Sequence, residues 1–220
     1  MDAADFCDRG DRCSDEAFDL LLGHTADAVR WLEGKYSYSQ LDAITDSVAA
    51  SLLKLGLKPC DRVLFQLTNT PETLVSFLAC WKAGIIPICT LAAHREAEIG
   101  YLGDFGGAKA HFIETETTKF DFAEFAKKMQ GELPGIRHIV STRGPGGEGI
   151  VDLADLMAEN AAEARATLEQ VAQDPFQVAA FQLSGGTTGV PKIIPRIHSE
   201  YLYNMRQVAA FKGWNSEDRI

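Results

Sequence analysis

The chain has 220 residues, 46% hydrophobic and 24% charged, with a formal net charge of −10. That length suits one large core or a portion of a bigger protein, and the composition is that of an ordinary soluble chain. The acidic balance argues against nucleic acid as the main partner, because a phosphate backbone demands clustered Lys and Arg; a nucleotide needs only a few local donors.

The opening stretch, MDAADFCDRGDRCSDEAFDL, is polar and acidic, unlike a signal or transit peptide. No apolar run reaches about 18 residues, so no membrane partner is expected. Cys7, Cys13, Cys60, Cys80 and Cys89 form no C-x-x-C pair and complete no zinc set. They read as reduced thiols of a cytoplasmic protein, with no metal site.

Residues 1–35 read as a leading segment with one or two short helices, in which Phe18, Leu21 and Leu22 offer an apolar face. Tyr36 to Tyr38 fit a short strand or a turn. From Ser39, a plausible N-cap with Asp42 in the first turn, Leu41, Ile44, Val48, Leu52 and Leu55 recur at helical spacing. Gly56 stops that helix and Pro59 follows. Val63 to Leu67 is a run suited to a buried strand. Asn69 or Thr70 caps the next helix, with Pro71 in its first position, and it runs to Lys82 or Ala83 before Gly84. Ile85 to Cys89 is the second buried strand. A third helix holds Glu96, Ile99, Tyr101 and Leu102, and Ala108 to Ile113 is the third strand. Phe120 to Met129 suits a helix, His138 to Ser141 a strand, and Arg143 to Gly149 a glycine-rich surface loop. Asp152 to Val171 is acidic and alanine-rich, a helix with a break. Val178 to Leu183 is a strand, and a helix is expected from Ser199 to Phe211.

Short apolar strands alternating with amphipathic helices predict the α/β class, a mainly parallel sheet with helices on both faces. Such sheets bind ligands beyond the C-terminal ends of their strands. The stretch from Gly56 to Val63 is echoed by Gly213 to Ile220, each a glycine stop, a polar turn, Asp-Arg and a branched apolar residue. The second copy ends on entering a strand, so the chain is expected to be the N-terminal portion of a longer protein.

Leu183 to Lys192, LSGGTTGVPK, directly follows the Val178–Leu183 strand. Its glycines allow close backbone approach and positive φ, so that successive N–H groups can converge on one anion. Ser184, Thr187 and Thr188 add hydroxyls, and Lys192 adds a cation. The loop fits neither familiar phosphate pattern. A Walker loop needs Gly-Lys-Ser/Thr, where Pro191 precedes Lys192 and Ile193 follows; the dinucleotide fingerprint needs G-x-G-x-x-G, where the order here is G-G-x-x-G.

SGGTTGVPK resembles the phosphate loop of the adenylate-forming enzymes, the superfamily of acyl-CoA synthetases, peptide-synthetase adenylation domains and luciferases. YSYSQLDAITDSVAASLLKLGLKPCDRV and NTPETLVSFLACWKAGIIPI, with Lys82-Ala83-Gly84, look like helix–strand units of the same family, so the likeness covers about residues 35–220. Residues 36–220 would then be the N-terminal portion of its large adenylation domain. The loop followed by Pro195-Arg196 and His198, with Ala93-His94-Arg95 and Glu98-Ile99, is similar to the branch that activates 2,3-dihydroxybenzoate and salicylate for siderophore biosynthesis. The chain departs from that branch at Ala92, where proline is expected, at Ile197 (threonine) and at Ser199-Glu200 (Asn-Asp).

The resemblance implies ATP-dependent activation of a carboxylic acid as an acyl-adenylate with loss of pyrophosphate, then transfer to the phosphopantetheine thiol of a carrier protein or to CoA. It implies Mg²⁺ with the ATP. Ser184, Gly185, Gly186, Thr187, Thr188 and Gly189 would cradle the β- and γ-phosphates, and Lys192 would steady the loop or touch phosphate. The acid pocket and the catalytic lysine are expected beyond Ile220, so the 220 residues alone are expected to be inactive. His198 is expected to cap or pack, and His94 and Arg95 to brace the fold. Arg196 either anchors the loop to an acidic partner or stands in solvent. Trp31, Trp81 and Trp214 read as core or surface anchors. Two other readings stay open: an acyl-CoA ligase for a non-aryl carboxylate, and a non-catalytic nucleotide-binding module.

Overall fold

A computed structural model describes residues 27–116, 119–158, 160–172, 174–184 and 191–215. The helices expected before residue 27, and residues 185–190 of the glycine-rich loop, lie outside the described residues.

The described chain opens with β1 (Asp27–Trp31) and β2 (Gly34–Ser37), an antiparallel hairpin in which the Trp31 and Tyr36 rings lie 4.8 Å apart. The α1 helix (Tyr38–Lys54) follows at once. Its cap is Ser37, not Ser39. The Ser37 hydroxyl accepts from the Gln40 N–H at 3.2 Å, and the Gln40 side chain accepts from the Ser37 N–H at 2.9 Å. That reciprocal pair needs a Gln or Glu three residues on, which Ser37 has and Ser39 lacks. Asp42, read as an acid in the first turn, is buried.

Next come β3 (Arg62–Phe65), α2 (Pro71–Lys82), β4 (Ile86–Cys89), α3 (Glu96–Phe105), β5 (Ala108–Glu114), α4 (Phe122–Glu132) and β6 (His138–Arg143). Then follow β7 (Val151–Asp152), the short α5 (Leu153–Leu156) and α6 (Ala161–Leu168), which together form the broken helix, and β8 (Val178–Leu183). The chain closes with β9 (Ile193–Ile197) and α7 (His198–Lys212). Thr70 caps α2, its hydroxyl accepting from the Thr73 N–H at 3.3 Å, with Pro71 in the first helical position. Thr70→Ala is expected to lower stability by about 1 kcal/mol, read as a shift in urea midpoint at unchanged m-value.

Three strands are missing from the sequence reading, the two-residue β7 among them, at the start of the stretch taken as a broken helix. β1 sits in the stretch taken as a leading segment, and β9 contains Pro195, which weakens any strand pattern. β9 holds an edge position, where proline is tolerated.

Among the described residues the main sheet has the order β7-β6-β5-β3-β4-β8-β9. Every pairing is parallel except β8 with β9. Side chains alternate across it. Val63, Phe65, Ala110, Phe112 and Val140 face α1, α2 and α5, while Leu64 and Ile88 face α3 and α4. This is the expected α/β sheet covered on both faces, its apolar alternation forced by burial of both sides.

Between α1, α2 and α6 lies a polar island. The Lys82 ammonium donates to Asp42 Oδ1 at 2.6 Å, to Asp46 Oδ1 at 2.5 Å and to the Asp42 carbonyl at 2.9 Å. From the outer side the Arg165 guanidinium donates to Asp42 Oδ2 at 2.5 Å and to Asp46 Oδ2 at 2.7 Å.

Candidate functional site

Parallel pairing of β4 with β8, at Ile88 and Phe181, makes the two strands leave the sheet at the same edge. β9 then returns antiparallel to β8, with Leu183 opposite Ile193. The Ser184 N–H donates to the Lys192 carbonyl at 3.0 Å and closes the base of the glycine-rich loop. Of the seven loop residues picked out by sequence, Ser184 and Lys192 are therefore brought together, Ser184 half-buried and Lys192 exposed. Gly185, Gly186, Thr187, Thr188 and Gly189 lie outside the described residues.

The two stems are bound to their surroundings by side chains. Arg196 pairs with Glu200 at 2.7 Å and donates to Gln182 Oε1 at 3.3 Å. Its guanidinium carbon stands 5.3 Å from the centre of the Tyr201 ring. Arg196 thus has its acidic anchor in Glu200, which holds a carboxylate where the family pattern led us to expect aspartate. Gln182 Nε2 donates to the Tyr201 hydroxyl at 2.5 Å, and burial raises the pKa of that phenol. His198 begins α7 with its ring 5.6 Å from Trp81, and burial lowers its pKa. Its side chain packs and does not cap. Trp81 is an inner anchor whose indole N–H donates to the Ala179 carbonyl at 2.8 Å, whereas Trp214 is exposed.

The segment after β4 is braced as expected. Arg95 donates to the carbonyls of Ala92 and His94 at 2.8 and 2.7 Å, and its guanidinium carbon lies 3.8 Å from the centre of the Phe120 ring. The Glu98 carboxylate accepts from the Arg95 N–H at 3.0 Å, and that bond heads the causes that lower the Glu98 pKa. His94 Nδ1 accepts from the Leu91 N–H at 3.2 Å, which fixes a neutral imidazole with its proton on Nε2; burial also lowers its pKa.

A buried relay behind this segment was not foreseen. His111 Nε2–H donates to Gln66 Oε1 at 3.0 Å, and Gln66 Nε2 donates to the His94 carbonyl at 2.8 Å. Both side chains are buried, and desolvation pushes the His111 pKa down to about 3. The signal was present as two polar residues inside apolar strand runs, VLFQL and AKAHFI. At the neighbouring strand ends Glu114 accepts from the Thr68 N–H and hydroxyl, both at 2.8 Å. Among the described residues no group of three or more His, Cys, Asp and Glu side chains could hold a metal ion. Among them, too, no helix is long and apolar enough to cross a membrane.

The edge of this sheet therefore presents a backbone-rich loop on a closed hairpin base, beside a rigidly held turn. The chain is 38% identical over 176 residues to triostin synthetase I of Streptomyces triostinicus, covering 80% of this chain and 31% of the relative. It is 35% identical over 185 residues to the salicyl-AMP ligase / salicyl-S-ArCP synthetase of Mycobacterium tuberculosis, covering 84% and 32%. The apo structure of Mycobacterium smegmatis MbtA superposes with a TM-score of 0.82 at 29% identity, covering 96% of this chain and 38% of that one. The chain thus spans about a third of the length of these proteins. A family model described as "AMP-binding enzyme" matches residues 23–220, and with the parallel sheet and the loop at its strand ends this makes the chain a member of the AMP-binding enzyme family.

Proposed function

We propose that this chain carries the triphosphate-gripping part of an enzyme that activates an aryl acid as its adenylate and passes the acyl group to a thiol. The observation that carries the reading is the Ser184–Lys192 closure, which sets a glycine- and hydroxyl-rich loop at the C-terminal edge of a parallel sheet. The 35% identity to a salicyl-AMP ligase supports an aryl acid as substrate.

In this reading the substrate carboxylate attacks the α-phosphorus of ATP, the α–β bridging bond breaks, and pyrophosphate leaves with the electron pair. Charge grows on the β- and γ-phosphates. Backbone N–H groups from Gly185 to Gly189, with the hydroxyls of Ser184, Thr187 and Thr188, stabilise that charge. Lys192, exposed at the loop base, adds a point charge. Mg²⁺ bound together with ATP would neutralise part of the phosphate charge. The acceptor is the phosphopantetheine thiol of a carrier protein or CoA, and the setting is the cytoplasm.

ATP–pyrophosphate exchange by the enzyme that contains this sequence tests the proposal. Salicylate or 2,3-dihydroxybenzoate is expected to support exchange, and alkanoates are not. Combined Thr187→Ala and Thr188→Ala changes are expected to lower exchange about 10- to 100-fold. Exchange that survives them undiminished rejects the cradle, and exchange driven best by alkanoates rejects the aryl acid.

A further inference from the structure

We propose that Gln182, Arg196 and Tyr201 are positioning residues for the loop between Ser184 and Lys192. The inference rests on reading that loop as the phosphate cradle.

The alternation of the hairpin places these side chains. Phe181, Leu183 and Ile193 pack on the α3/α4 face of the sheet. Gln182 on β8 and Arg196 on β9 therefore share the opposite face, because Ala180 pairs with Arg196 and Gln182 with Ile194. That face meets α7 and, through Trp81, α2: the Trp81 ring lies 5.9 Å from Tyr201. Gln182 receives the Arg196 N–H on its oxygen and gives its own N–H to the Tyr201 hydroxyl. One amide thus joins both stems of the loop to the helix that follows them. Gln182 stands two residues before Ser184, and Arg196 four residues after Lys192.

Two physical arguments give this network a role beyond packing. A loop rich in glycine loses much conformational entropy when it orders around an anion, so a rigid base reduces the cost of binding. The Arg196 Nε is buried without a hydrogen-bond partner, so the guanidinium is poorly suited to stability alone. Methionine would keep much of the packing, and the ion pair it removes is to a half-exposed Glu200 carboxylate, a kind of pair that contributes little to stability. What methionine cannot supply is the directed contact to Gln182.

Amide exchange and binding of magnesium pyrophosphate, measured on this chain, test the assignment. The Ser184 amide, which closes the loop base, is expected to exchange about tenfold faster in Gln182→Leu and Arg196→Met, while the Leu64 amide in the central strand keeps its rate. Arg196→Lys, which retains the charge opposite Glu200, is expected to restore part of the protection. Pyrophosphate affinity is expected to fall about fivefold in the first two variants. Unchanged Ser184 protection in both, or equal acceleration at Ser184 and Leu64, overturns the positioning role and leaves only packing of α7. Wild-type chain that binds no magnesium pyrophosphate overturns the cradle reading instead, and the Ser184 rates still decide whether these side chains order the loop.

Discussion

Lys82→Met is expected to lower the unfolding free energy by about 3–5 kcal/mol, the range for removing one partner from a buried ion cluster. The Lys82 side chain is 6% exposed, and those of Asp42 and Asp46 are 9% and 6%. Without the ammonium, two carboxylates 4 residues apart on α1 face each other with a single cation left among the described residues. That cation, Arg165, is 45% exposed and reaches the outer oxygens only. Its own pKa is raised, first by the hydrogen bond to Asp46. Urea unfolding of the variant at neutral pH measures the loss. Adding Asp42→Asn and Asp46→Asn to Lys82→Met is expected to recover much of it, because no uncompensated charge then stays buried. A loss below about 1 kcal/mol in the single variant would show that water reaches the carboxylates freely.

Acid is expected to weaken the fold from near pH 6.5 downward, with His111 as the main histidine contributor. Its folded-state pKa is pushed down to about 3, while in the unfolded chain it titrates near 6.5. Between those values the unfolded state binds a proton that the folded state refuses. The stability contribution is therefore complete above pH 6.5 and is lost as pH falls, at up to about 1.4 kcal/mol per pH unit. From pH 7 to pH 5 the loss from this one ring is about 2 kcal/mol. His94, His138 and His198, whose pKa values burial also lowers, act in the same direction. His111→Gln keeps an amide donor toward Gln66 and removes the titration. Urea midpoints of the two proteins at pH 7 and pH 5 are expected to show a flatter dependence in the variant. Parallel dependences would place the sensitivity elsewhere.

The element order was legible because both faces of the sheet are covered. Strands such as Val178–Leu183 read as apolar runs, and α1 and α2 show their buried stripes at helical spacing with glycine stops. What the sequence hid depends on partners distant in the chain. Asp42 and Asp46 look like solvated helix acids until Lys82 and Arg165 arrive, 40 and 123 residues from Asp42. Gln66 and His111 are 45 residues apart and find each other only because β3 and β5 are neighbours. Ser37 and Ser39 offer the same hydroxyl, and only the position of Gln40 separates them. The candidate loop was readable from its residue types alone. That it spans an antiparallel hairpin was not, because Pro195 broke the strand pattern.

The placement of that proline has a consequence for how the sheet can grow. Ser184 and Lys192 form a bonded pair, so alternation makes Pro195 and Phe181 a non-bonded one. The amide at 195 would point outward, and proline deletes it. Any incoming strand, from this polypeptide or from a neighbour, meets a gap in the row of donors at that point, and runaway lateral stacking is discouraged.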